Sequence, residues 1–344
     1  MLKAIWTVSL ALAALSLAVM GFLVIARGFS ESRRAKVAAR RDALLASVIG
    51  WMAGETSDEH VTGELARDLD LSIDLLGELF EMVRGVEQGR LAGLAESAGV
   101  AGHLRAGLSR RSVAERLTAA ETLAWFTSPE TVAALDRALA DPDPEVALAA
   151  ASSLAQIGAD RPVRQLLGPR FDRSDPSRRL EMVIARVARR RPGELAELAL
   201  DAARTSRLRI AALDALAQAG APEGIIAAET LAAQDPSVDI RVACARVLGL
   251  LGHPGVAPTL AALIGDAHWA VRAKAVESAG RLALTELAES IVALLSDENW
   301  WVRHRAAEAI ERLREAGLAT LKDLIERHQA VSVSKAPADR AARA

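Results

Sequence analysis

The chain holds one cysteine, no tyrosine and few aromatic residues, which make up 3% of its 344 positions. The lone Cys244 excludes an intramolecular disulfide and any metal site built from several cysteines. With rings scarce and hydrophobic residues still at 51%, the apolar mass comes from Ala, Leu and Val. That mixture suits closely packed helices better than stacked strands. Neither sign of charge is in excess, with 42 Lys+Arg against 44 Asp+Glu, so no nucleic acid is expected as a partner. His60, His103, His253, His268, His304 and His328 form no i,i+4 pair and no HExxH, which leaves a metal site without support. There is no phosphate-cradling loop of the P-loop type and no nucleophile elbow. The expectation is a protein that is not an enzyme and takes no cofactor.

One long hydrophobic run is present. Residues 4–26 carry no charge, and Thr7, Ser9 and Ser16 are their polar members. As a helix they reach roughly 34 Å at about 1.5 Å per residue, enough for a hydrocarbon core of roughly 30 Å. A cleaved secretory signal is the alternative, but its apolar region runs only about 7–15 residues. The run is therefore read as a single transmembrane helix and signal anchor, contacting the bilayer through residues 4–26. Arg27, Arg33, Arg34, Lys36, Arg40 and Arg41 follow it, against Lys3 before it. The positive-inside rule then puts the body in the cytoplasm, at a bacterial-type inner (plasma) membrane. This basic segment, 27–44, would also attract anionic headgroups by about 1 kcal/mol per charge, unless it is simply a solvated linker.

Self-similarity dominates the remainder. A column at a nearly constant interval reads Arg116, Ala147, Arg178, Arg209, Arg241, Arg272 and Arg303. Six residues earlier stand Asp141, Asp172, Asp235, Asp266 and Asp297, with Arg110 and Ala203 as exceptions. Three residues later the positions are mostly Ala, with Cys244 and Glu181 among them, and seven later they are Leu, Ala or Ile. The +3 and +7 positions share one helical face, so each unit buries that stripe against a neighbour. Each unit reads as helix, turn, helix, with Val256–Gly265 then Trp269–Leu282 as a clear copy. The Asp falls where a turn or N-cap needs a short acceptor. One such unit cannot bury its apolar face alone, so stacking is required.

The runs from Asp141 to Val146, Asp235 to Arg241, Asp266 to Arg272 and Asp297 to Arg303 resemble the HEAT-like repeat of the phycobilin-lyase type. The resemblance covers Ser97 to Glu326. It implies an all-α chain, an α-solenoid of about seven HEAT-like helix pairs, here preceded by the transmembrane helix. It also implies that the Asp and Arg columns form a charge ladder within and between units, with Arg178, Arg209, Arg241, Arg272 and Arg303 as its cationic members. Exposed pairs of that kind contribute about 0–1 kcal/mol each. The expected divisions are a helical N-terminal cap region at 45–96, acidic and amphipathic between Thr56 and Val83, a solenoid at 97–327 and a disordered tail at 328–344.

Two features depart from the repeat. Residues 161–191 are rich in Arg and irregular, with Glu181 at the small position, which raises a basic patch or a solvated weak repeat. Three of the six Trp fall in the last two repeats. Trp269 and Trp300 share a repeat position and are expected to stack as adjacent rungs beside Trp301, His268 and His304. That cluster is either a partner-binding surface or filling between repeats. Cys244, in a column of Ala, reads as a small core residue. The function expected is a membrane-tethered scaffold or adaptor for another membrane-associated protein, in a sharper form an accessory subunit of an envelope-polymer (glycosyltransferase-type) assembly. The alternatives are a bilin lyase or isomerase, suggested by the resemblance alone, and a periplasmic envelope scaffold.

Overall fold

The computed structural model describes residues 35–173 and 177–315, together with Met20. The rest of the span expected at 4–26, the basic residues Arg27, Arg33 and Arg34, and the tail at 328–344 lie outside the described residues. Among the described residues every regular element is helical, and no helix is long and apolar enough to cross a membrane. The chain divides into two compact units between Thr131 and Val132.

The first unit contains α1 (35–52), α2 (Asp58–Arg67), α3 (Leu69–Met82), α4 (Val86–Ser97), α5 (Val100–Gly107) and α6 (Val113–Thr122). Short side chains start the helices: Ser57 accepts from the His60 N–H, Asp68 from Leu71 and Ser112 from Glu115. The acid-rich stretch is amphipathic as its spacing requires. Leu75, Leu76, Leu79 and Phe80 of α3 are buried, whereas Asp70, Asp74, Glu78 and Glu81 form an exposed stripe. Phe80 stacks on Trp125 at 5.4 Å and meets Phe126 edge-on at 5.8 Å within this core.

Helix α7 (Pro129–Ala138) spans the division. The second unit continues with α8 (Pro144–Ile157), α9 (Val163–Leu166), α10 (Arg178–Arg190), α11 (Pro192–Leu200), α12 (Ser206–Gln218) and α13 (Glu223–Gln234). It then runs through α14 (Val238–Leu251), α15 (Ala257–Ile264), α16 (Trp269–Arg281), α17 (Ala288–Ala293) and α18 (Trp300–Glu315). The second helices of the pairs, α8, α10, α12, α14, α16 and α18, pack side by side in that order, and α11, α13, α15 and α17 form the other layer. This is a solenoid-like stack of helix pairs. Small residues let the helices approach closely. A methyl added at Gly280 of α16 would lie 2.7 Å from the Ala309 Cα of α18, and Gly249 of α14 lies equally tight against Ser278. Gly158 and Gly252 end α8 and α14 with left-handed φ of 81° and 69°, a conformation in which a side chain would strain the backbone.

The N-caps fix the register, and they correct the sequence columns. Asp143, Ser177, Thr205, Ser237, His268 and Asn299 precede the second helices of the second unit, and Ser112 precedes α6. The intervals are 31 residues from Ser112 to Asp143, 34 to Ser177, 28 to Thr205, and then 32, 31 and 31. The position four residues after the cap therefore holds Glu181 in α10, and Arg178, assigned to the ladder from its spacing, is only the first residue of that helix. Bonds between α8 and α10 follow the 34-residue offset: Arg179 to Glu145 at 3.1 Å, Arg186 to the Ser152 carbonyl at 3.2 Å and Arg190 to the Gln156 carbonyl at 3.2 Å. The small +3 position is then Ile184, buried, and Glu181 is exposed. The long and short intervals together equal two ordinary repeats. Columns on either side stay in phase and hide the slip.

Candidate functional site

The loops leading into the second helices carry the ladder. Arg209 reaches Asp235 at 2.7 Å, Arg241 reaches Asp266 at 2.8 and 3.2 Å, and Arg272 reaches Asp297 at 2.8 and 2.9 Å. Each Arg thus pairs with the Asp of the following repeat. Arg241, Arg272 and Arg303 also donate to the backbone carbonyl of their own repeat's Asp, at 3.0, 2.9 and 2.8 Å. The carboxylates are occupied twice over: Asp235, Asp266 and Asp297 accept the N–H of Ser237, His268 and Asn299 at 2.9, 2.8 and 2.8 Å. The Asp is accordingly an Asx-turn residue, and the cap is the residue two further on.

These pairs are not the exposed ones expected. The side chains of Arg209 and Asp235 are 6% and 5% exposed, and those of Arg272 and Asp297 are 11% and 6%. Burial pushes the Asp266 and Asp297 carboxyls upward, but the Arg241 or Arg272 bond and the backbone N–H of His268 or Asn299 outweigh it. Both carboxyls are held below the usual carboxylate value.

The ladder is interrupted in the middle. With Glu181 in the Arg position, the matching place before the next cap is Ala203, and both positions are exposed. Asp172 does not continue the column. It accepts from Arg204 at 2.8 Å and from the Thr205 N–H at 3.2 Å, tying the irregular segment to the following loop. Asp141 keeps its turn role, accepting from the Asp143 N–H at 2.9 Å.

Several arginines of the Arg-rich stretch are engaged by internal partners, while Arg164, Arg178 and Arg189 are exposed. Arg161 grips Asp136 at 2.6 and 2.9 Å, and Arg170 donates to the Leu139 and Asp141 carbonyls at 3.1 and 2.6 Å. Arg191 holds Glu194 at 2.6 Å, and Arg186 is bonded to Ser152. These arginines bind a long, irregular connection to its neighbours through carboxylates and carbonyls. Sequence reasoning also missed the bidentate Arg246–Asp214 pair at 2.7 and 2.8 Å, 32 residues apart. An i,i+32 search for opposite charges would have found it.

Nearer the N-terminus, Arg41 pairs with Glu78 and Arg40 lies 4.0 Å from Asp68, whereas Lys36 is exposed. Cys244 is fully buried, and desolvation with the nearby Asp235 pushes its thiol up to about 12. Among the described residues no group of His, Cys, Asp and Glu is arranged to hold a metal ion.

The aromatic cluster lies on the opening turns of α16 and α18. Trp269 and Trp300 are each the first residue after a cap, His268 and Asn299. Trp269 is 39% exposed, Trp300 56% and Trp301 50%, so each ring is part-buried and part open to solvent. Among the described residues Trp269 and Trp300 are not in ring contact with each other. Trp269 sits beside His268 at 5.8 Å, and Trp300 meets Trp301 at 4.7 Å with planes 76° apart. His304, one turn along α18, lies parallel to Trp300 at 5.1 Å and 3.5 Å from Glu308. The His268 ring is itself the cap, its Nδ1 accepting the Ala270 N–H at 3.3 Å. Each Trp thus packs against rings of its own helix end, Trp269 on His268 and Trp300 on Trp301 and His304.

The family model for HEAT repeats matches residues 102–186 and 258–336, so those two stretches carry HEAT-like repeats. No curated protein sequence matches it. Among solved structures, a mutant of Kap121p is similar over 86% of this chain and 38% of its own, at 14% identity and a TM-score of 0.53. Human deoxyhypusine hydroxylase in complex with glycerol matches over 78% of this chain and 99% of its own, at 20% identity and a TM-score of 0.34. The complex of CpcE and CpcF of phycocyanin lyase from Nostoc sp. PCC7120 matches over 79% and 94%, at 18% identity and a TM-score of 0.30. The likeness to Kap121p is one of fold.

Proposed function

We propose that the protein is a membrane-tethered scaffold that binds a partner protein through the aromatic surface on α16 and α18, without catalysing a reaction. The observation that carries this is the half exposure of Trp269, Trp300 and Trp301 on neighbouring helices. Trp is enriched at interface hot spots, and leaving three such rings in water is costly unless something covers them. The uncharged run at 4–26 with its basic flank supplies the tether, and places the repeats on the cytoplasmic side of a bacterial-type inner membrane. In its sharper form the protein is an accessory subunit holding a synthase of an envelope polymer at that membrane.

The test is a mild-detergent pull-down of the full chain from native membranes, read by mass spectrometry. A parallel bait carries Trp269→Ala, Trp300→Ala and Trp301→Ala. Loss of hot-spot contacts at about 2–4 kcal/mol empties the bait of its partner. A partner that survives all three substitutions moves binding elsewhere. The side of the membrane follows from Ser334→Cys in a Cys244→Ala background, which an impermeant thiol reagent reaches only if the body is periplasmic.

A further inference from the structure

The two most exposed large apolar side chains among the described residues stand on one turn of the first unit. Val86 is 80% exposed and Met82 69%, on either side of the connection from α3 to α4. That connection is firmly tied. Val83 donates its N–H to the Leu79 carbonyl at 2.9 Å, and Arg84 donates to the Phe80 and Val83 carbonyls at 3.1 Å each. Gln88 donates to the Phe80 carbonyl as well, at 3.1 Å. Gly85 turns the chain at a φ of 67°, where a side chain would strain the backbone. The turn therefore holds two apolar side chains out in water, which favours neither.

The chain leaves this unit beside that turn. Residues 35–40 of α1 are exposed throughout, and the first buried side chain of the helix is Leu44. Arg41 pairs with Glu78, one helical turn before Met82 on the same stripe of α3. Arg40 lies 4.0 Å from Asp68, at the other end of α3. So α1 crosses α3 on its way out, about one turn from the exposed pair. Residues 27–34 separate α1 from the uncharged run, and reach at most about 28 Å when fully extended. Residues 35–40 add about 9 Å as helix, so the point of exit is held within about 40 Å of the end of that run.

Charge does not supply a contact here. Glu81 adjoins Met82, and Glu78, Asp74 and Asp70 extend the acidic stripe away from it. Arg84 is engaged with carbonyls, and Arg90 with Glu87 and the Trp51 ring, whose centroid is 4.9 Å away. A fitting surface is apolar at one depth and wet at the next, as the boundary between headgroups and acyl chains is. We propose that the Met82–Val86 turn is a second membrane contact, which places both side chains at that boundary and holds the first unit against the bilayer. This rests on reading residues 4–26 as a membrane anchor. Apolar burial drives the contact, so zwitterionic lipid suffices and salt has little effect.

The experiment uses the full chain in a Cys244→Ala background with one new cysteine, Val86→Cys or Met82→Cys. The cysteine carries a nitrobenzoxadiazole dye, and the protein is reconstituted into phosphatidylcholine vesicles. Ile226→Cys on α13, at a position 66% exposed, is the reference. Lipid with a doxyl quencher high on its acyl chains should quench the dye at 86 and 82 severalfold more than at 226, at low and high salt alike. Val86→Asp should remove most of the quenching at 82, with circular dichroism confirming that the helices remain. Equal quenching at 86 and 226, in a chain that stays in the vesicles through an alkaline carbonate wash, overturns the proposal and leaves the anchor standing. Release of the chain by that wash sinks the anchor and this proposal together. Quenching that appears only with anionic lipid overturns it too, because the contact is then electrostatic. So does a photo-crosslinker at 86 that captures a protein and no lipid in native membranes.

Discussion

Removing both sides of one ladder rung should cost clearly less than the sum of removing each side alone. In the Arg272–Asp297 rung two N–H···O bonds of 2.8 and 2.9 Å join side chains that are 11% and 6% exposed. Arg272→Met leaves the Asp297 carboxylate with the Asn299 N–H at 2.8 Å and little water. Asp297→Ala leaves a guanidinium whose Nη1 still reaches the Asp266 and Ala267 carbonyls, at 2.9 and 3.0 Å. Removing one partner of a buried pair costs about 3–5 kcal/mol, and the remaining backbone contacts reduce that to about 2–4 for Asp297→Ala. The double variant strands no charge, so its loss should fall about 2 kcal/mol or more short of the sum of the singles. Repeat proteins need not unfold in one step. The assay is therefore amide hydrogen exchange of the α16 and α18 cores, supported by urea unfolding followed by circular dichroism. Singles that add to within about 0.5 kcal/mol would refute the argument, because the rung would then contribute nothing as a pair.

Three further outcomes follow from the same structure. Asp266 and Asp297 have folded pKa values below the ordinary carboxylate value. Their contribution is therefore full above about pH 4–5 and disappears as pH falls through those depressed values. Arg272→Met removes the bond that lowers Asp297, so the acid transition of α16 and α18 should begin at higher pH, and an unchanged acid midpoint counts against the pairing. Gly280→Ala puts a Cβ 2.6 Å from the Ala309 Cβ, and overpacking of about 1–3 kcal/mol outweighs a helix-propensity gain of about 1. Gly77→Ala in α3 meets nothing within 4 Å and should stabilise by about 0.4–1 kcal/mol, so thermal melts of the two variants should shift in opposite directions. With its thiol pushed up to about 12, Cys244 should be inert to a thiol reagent at pH 8 until denaturant is added, and rapid native labelling would place it outside the core.

The regular repeats were legible because each places Arg, a small residue and an aliphatic residue at fixed steps on one helix, and their buried rungs obey that spacing at Arg209, Arg241 and Arg272. The sequence could not show how deep those rungs lie, since burial depends on the loop of the next repeat folding over the guanidinium. The aromatic surface was found by its position. Its exposure was not legible, because the residue after a cap points along the helix end and either neighbour could have covered it.

The Arg-rich repeat failed for a different reason. An arginine at 178 satisfied the interval, and a helix rich in arginine offers one at almost any register. Hydrophobic spacing alone would have voted otherwise, since Leu180, Val183, Ile184 and Val187 are the buried face of α10. So would the cap, because Ser177 accepts the Leu180 N–H and so starts the helix at Arg178. The compensated loop lengths then explain why this unit is so full of arginine. A connection that is longer than its neighbours cannot reuse the ladder's Asp and carbonyl positions. Arg161, Arg170, Arg179, Arg186 and Arg204 instead reach whichever carboxylate or carbonyl the shifted backbone presents. Long, multiply donating side chains are the residues that can do this. The absence of Arg at 181 and of Asp at 203 is the counterpart: the spacing no longer brings the two sites together, and both positions are exposed.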